Sequence, residues 1–162
     1  MNSALGLFTA FHTVISVVAI LAGIGAVRGL FLGRVRSAAM ATFLVSAIVT
    51  TVTGFMFPYH GFTPAIGVGV IALLVLAWAL LAQRRTALSA GSGAQFAVAI
   101  VVSEYFLVFV LVAQTFAKLP ALNALAPNVQ QPFFGAVQLI VLIAFTVIAI
   151  RAARASKTRV TV

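Results

Sequence analysis

The sequence predicts an all-α polytopic membrane protein, a five-transmembrane-helix bundle with its N-terminus outside and its C-terminus in the cytoplasm. Three observations carry that expectation. Of 162 residues, 64% are hydrophobic and only 7% charged, where a soluble domain has about 45–50% and about 25%. Five apolar segments follow one another at about 5–27, 38–57, 64–82, 95–117 and 133–151, each close to the roughly 20 residues that carry a helix across a hydrocarbon core. The basic residues then fix the direction. With the N-terminus outside, Arg28, Arg34, Arg36, Arg84, Arg85, Arg151, Arg154, Lys157 and Arg159 all fall in the cytoplasm, and Lys118 alone falls outside, as the excess of cytoplasmic Lys and Arg in membrane proteins requires. The connections are too short to fold separately, so residues 1–162 read as a single membrane domain with a basic cytoplasmic tail at 151–162.

A net charge of +9 would point to nucleic acid in a soluble protein. Here the cations lie between and after apolar segments, where they set topology and meet anionic lipid headgroups at the cytoplasmic face. No nucleic-acid partner is therefore expected. The chain has no cysteine, which removes disulfides, thiolate chemistry and Cys-ligated metal.

The first segment carries His12. It lacks a positive n-region and is followed by Arg28, Arg34 and Arg36, the reverse of a cleavable signal peptide, so it is expected to stay in the mature protein. At its end Gly25, Gly29 and Gly33 recur at intervals of four, either a small-residue ridge for close helix approach or a flexible end and turn. In the second segment Ser46, Thr50, Thr53 and Gly54 share one helical face. Such a stripe turns inward in lipid, where it either packs against another helix or lines a polar path.

Pro58, Tyr59, His60 and Gly61 form a tight turn, and Thr63 before Pro64 reads as an N-cap with proline at the first helical position. Phe55, Phe57, Tyr59 and Phe62 gather at one interface and Trp78 near the other, as an aromatic belt. A link rich in Ser, Ala and Gly, Arg84 to Gly93, leads into the fourth segment. Lys118 to Pro132 is the longest connection, and Pro120 and Pro127 bracket a short apolar stretch suited to a one- or two-turn interfacial helix. The last segment holds Gln138.

The only acidic residue of the chain, Glu104, falls near the middle of the fourth segment. A carboxyl at that depth costs about 2.5 to 3.5 kcal/mol on insertion scales, so it faces a bundle interior, finds a partner or lies on an ion path. At about 1.5 Å per residue, His12 lies roughly 6 Å to the outer side of its helix midpoint and Glu104 within about 3 Å of its own. A direct or water-bridged contact is open to them if the first and fourth helices pack together. His60, Tyr59, Gln114, Lys118 and Gln138 all fall towards the outer side, an outer polar site in outline.

Three functions fit these residues. One is a small non-catalytic transport or permeation module, with a protonatable site at Glu104 and His12. Another is a membrane subunit of a redox complex, in which His12 and His60 hold a b-type haem or His60 helps bind a quinone; the unequal depths of the two imidazoles argue against the haem. The third is an accessory or scaffold subunit whose small-residue faces serve partner helices or self-association; whatever the function, so small a bundle has little interior of its own and is expected to form a homo-oligomer or to join a membrane complex. An enzyme is the least supported class. With one carboxylate and no Asp there is no Ser/His/Asp set and no carboxylate pair, no HExxH is present, and Gly23, Gly25, Gly67 and Gly69 sit inside apolar helices, not in a phosphate-cradling loop.

At TGFMFPYHGFTPAIGVGVIALLVLAWALLA, Thr53 to Ala82, and at VFVLVAQTFAKLPALNALAP, Val108 to Pro127, the chain resembles a group of small, functionally uncharacterised bacterial inner-membrane proteins, with their TGFxFPxHGFTPA-type turn and KxPALxALAP-type loop. The resemblance implies a small helical fold in the bacterial inner membrane. It implies no activity and carries over no functional residue, Glu104 included.

Overall fold

The computed structural model describes residues 3–58, 61, 63–85 and 90–158. Among them every regular element is helical: α1 Ser3–Phe31, α2 Ala38–Gly54, α3 Pro64–Arg85, α4 Ala90–Lys118, α5 Pro120–Asn123 and α6 Pro127–Thr158. Four of these, α1, α3, α4 and α6, are long and apolar enough to cross a membrane, while α2 is a shorter apolar helix of 17 residues. The chain is thus an all-helical, multi-pass membrane protein. Helix α4 is the hub and packs against α1, α3 and α6, while α1 and α2 form a tightly paired hairpin.

The helix ends follow local chemistry. Helix α1 runs past the expected residue 27 and closes in a Schellman motif: the Arg34 N–H donates to the Gly29 carbonyl at 2.8 Å and the Gly33 N–H to that of Leu30 at 3.3 Å. Gly33 takes φ 73°, the left-handed conformation that glycine adopts without a Cβ penalty. The glycines at intervals of four therefore divide. Gly33 makes the turn, Gly29 stands against the Arg34 carbonyl, and Gly25 faces the Ala39 side chain, so the small residues close α1 onto the start of α2 within the chain. Ser37 caps α2 by accepting from the Met40 N–H at 3.2 Å.

Helix α2 stops at Gly54, short of the expected residue 57, where Phe55 and Met56 turn the chain. Helix α4 starts at Ala90 and takes in Gly91, Ser92 and Gly93, which read as linker by composition. Packing overrides propensity there, because Gly93 lies beside Ser156 of α6. Helix α6 begins at Pro127, not at residue 133, with Pro132 inside it, and continues through the basic segment to Thr158. Pro127 is suited to a first helical position, and Pro132 removes a single intrahelical bond one turn later. The one-turn helix expected in the connector is α5, tied to α6 by the Gln130 side-chain N–H donating to the Leu122 carbonyl at 3.1 Å.

Because α1 to α4 alternate in direction, the bundle has two ends: an N-terminal end with the start of α1 and the end of α4, and a basic end with Arg28, Arg34, Arg36, Arg84, Arg85 and Arg151. The two halves pack differently. The buried core, including Ala26, Leu30, Phe43, Ala47, Ala79, Phe96 and Ile100, lies in the basic half. Its alanines let the backbones approach closely, which is how membrane helices gain dispersion energy without a hydrophobic driving force. Towards the N-terminal end helices α1 to α4 enclose an open space.

Candidate functional site

The opening is a cavity of about 710 Å³ between α1, α2, α3 and α4, within the size range of small-molecule sites. Helix periodicity builds its polar side. Thr9, His12, Thr13 and Ser16 fall at i, i+3, i+4 and i+7 on α1 and all face the cavity, across from Thr50, Thr51 and Gly54 of α2. Helix α4 adds Ser103 at depth and Gln114, Thr115 and Lys118 towards the mouth. The rest of the wall is apolar and aromatic, with Phe55, Phe57, Ile66, Leu76 and Phe106 among its residues. Phe55 reaches in because Gly69 lacks a side chain; a methyl group there would lie 2.8 Å from the ring.

His12 is held on this wall by two contacts. Its Nδ1 lies 2.8 Å from Thr53 Oγ1, and its ring stands edge-on to Phe57 at 5.1 Å between centroids. The hydroxyl proton of Thr53 is already committed, since Oγ1 lies 2.7 Å from the Val49 carbonyl and 3.1 Å from that of Thr50, and carbonyls only accept. Two acceptors facing each other at such distances would repel. His12 therefore donates from Nδ1 to Thr53, and in the neutral ring Nε2 is left as an acceptor.

Glu104 lies beneath the cavity. Its neighbour Ser103 and, on α1, Ile20 belong to the lining, and the Glu104 carboxyl packs one turn further down against Gly23. It is only 2% exposed. Among the described residues neither carboxyl oxygen has a hydrogen-bond partner, and the same holds for Thr50 Oγ1 on the cavity wall. The space for the carboxyl exists because residue 23 is glycine: a Cβ there would overlap the carboxylate.

Glu104 and His12 do not meet. Glu104 faces Gly23, which is eleven residues beyond His12 on α1, a separation of about 16 Å along the helix. Glu104 meets α1 further towards its C-terminal end than helices aligned at their midpoints would imply. Of the other polar residues, Gln114 and Lys118 share the cavity with His12. Gln138 does not; it sits on the far side of α4, where its side-chain N–H donates to the Phe109 carbonyl at 3.0 Å. Tyr59 and His60 lie outside the described residues. Ser46 is buried below the cavity and bonds back to its own helix at the Thr42 carbonyl, 2.6 Å away, whereas Thr50 and Gly54 line the cavity.

Sequence reasoning missed Thr9, Thr13 and Ser16, although their spacing around His12 marks one helical face. It also missed Gly23 as the seat of Glu104, which no local pattern reveals. Compared with protein families, curated proteins and solved structures, the chain matches none.

Proposed function

We propose that this protein is a small permeation module of the bacterial inner membrane, in which Glu104 is the protonatable group at mid-membrane depth and the cavity is its vestibule. The observation that carries this reading is the position of an unpartnered, buried carboxyl just beneath a cavity with polar groups on its wall, while the half of the bundle beyond it is densely packed. An intramembrane carboxyl is retained at a cost of about 2.5 to 3.5 kcal/mol, and a purely structural core would be better served by an apolar side chain. His12 then serves the vestibule wall and not a direct relay to Glu104.

In this reading α2 is a fifth span. Its 17 residues sit at the short end of the range that crosses a bilayer. The basic end faces the cytoplasm and its anionic headgroups, so the cavity opens outside, supported by the nine-to-one distribution of Lys and Arg. Helix α6, whose Leu139, Ile140, Ile143, Val147 and Ile150 are exposed, is the face for lipid or for a second copy of the chain. Proton flux into liposomes holding the purified protein tests the reading: flux above that of empty liposomes should fall to their level in Glu104→Gln, and flux unchanged in that variant would refute it.

A further inference from the structure

Most hydroxyls on the cavity wall are of one kind. The hydroxyls of six residues of the lining, Thr9, Thr13, Ser16, Thr51, Ser103 and Thr115, each lie 2.7–2.8 Å from the carbonyl four residues back in their own helix. A hydroxyl has one proton and two lone pairs. Each of these has spent its proton on the backbone and offers the cavity only lone pairs. The same holds for Nε2 of neutral His12, whose Nδ1–H is committed to Thr53. Beneath them, outside the lining, lies the unpartnered carboxyl of Glu104, and beside them the unpartnered Thr50 hydroxyl, 8% exposed, the one hydroxyl of the lining whose proton is not held by the backbone. N–H donors come only from Gln114 and Lys118, both exposed, where water and salt screen the lysine charge.

We propose that the cavity binds a guest that donates hydrogen bonds from an apolar body, of which a small protonated amine is the simplest chemical class. The ammonium supplies donors to a wall made mostly of acceptors, and charge-assisted bonds of this kind are the stronger ones. Phe55, Phe57 and Phe106 line the same space and suit the apolar body of such a guest. Below the rim an anion would find a free donor only at Thr50 and lone pairs elsewhere on the wall.

This inference rests on the same cavity as the permeation reading and names the solute class, yet it is tested without flux. Equilibrium binding to the purified full-length protein would be measured with three probes of one skeleton: benzylamine, benzyl alcohol and benzoate. Benzylamine should bind about tenfold more tightly than either of the others. The preference over the alcohol should shrink in Thr13→Val/Ser16→Ala, whose hydroxyls bond to the backbone of α1 itself, and in the near-isosteric Thr50→Val. Equal affinity for the three probes, tighter benzoate that is lost in Lys118→Gln, or no binding of benzylamine would each overturn the proposal. Amine binding without proton flux would refute the permeation reading alone, and flux without amine preference would refute this one alone.

Discussion

The carboxyl of Glu104 on α4 rests against the bare backbone of Gly23 on α1, at a place where any side chain on residue 23 would occupy the same space. That pairing sets how closely the two helices cross, and it places the only acidic side chain of the protein at the boundary between the packed and the open half of the bundle.

The contact makes Gly23→Ala an overpacking change, which costs about 1–3 kcal/mol in a dense interior. In a Glu104→Ala background the space is vacated, so the same substitution should cost little. Thermal unfolding in detergent of the two single variants and the double variant checks this. A coupling of at least about 1 kcal/mol is the expected outcome for residues in contact, and additive effects would contradict the packing described.

The hydrogen-bond chain from His12 through Thr53 to the Val49 carbonyl fixes the neutral imidazole as the Nδ1–H form. Nitrogen-15 chemical shifts of labelled His12 should report protonated Nδ1 and bare Nε2. In Thr53→Val the acceptor is gone, and the ring should shift towards the Nε2–H form. A wild-type spectrum already dominated by Nε2–H would reverse the acceptor assignment of Nε2.

The chain contains no cysteine, so single-cysteine variants report accessibility without background. Thr13→Cys and Ser16→Cys face the cavity and should react with a membrane-impermeant thiol reagent from one side of sealed vesicles only. Ala79→Cys and Ala99→Cys, fully buried in the basic half, should stay unreacted. Equal reactivity of the two pairs would mean that the bundle is not closed below Glu104.

Gln138 spends its N–H on the Phe109 carbonyl, while its own carbonyl oxygen has no partner among the described residues. Gln138→Leu exchanges one interhelical hydrogen bond, worth about 0.6 kcal/mol in membranes, for relief of an unsatisfied buried group. The melting temperature should move little in either direction. A large loss of stability would show that Gln138 pins α6 to α4 far more strongly than this bond accounts for.

Much of the fold was legible in the sequence because membranes impose a simple rule: backbone groups in hydrocarbon must be satisfied internally, so long apolar runs become helices. The boundaries were less legible. Gly91, Ser92 and Gly93 look like linker until α6 packs beside Gly93, and residues 127–132 look like connection until Pro127 proves to start the helix. Glu104 announced itself by its cost, but its seat against Gly23 depends on the register of α1 on α4, which is a tertiary property. The stripe Thr9, His12, Thr13 and Ser16 was readable by period, whereas the facing stripe on α2 gains its meaning only once the cavity enclosed by α1 to α4 is seen.

The central claim, that Glu104 is reached through the cavity and carries proton movement, meets its most direct test in a carbodiimide experiment on the reconstituted protein. Such reagents modify protonated carboxyls, and Glu104 is the only Asp or Glu side chain in the sequence, so the site of modification is read by peptide mass. The account predicts modification at Glu104 with parallel loss of proton flux, and neither flux nor Glu104 modification in Glu104→Gln. Flux that persists after full modification of Glu104 would contradict it.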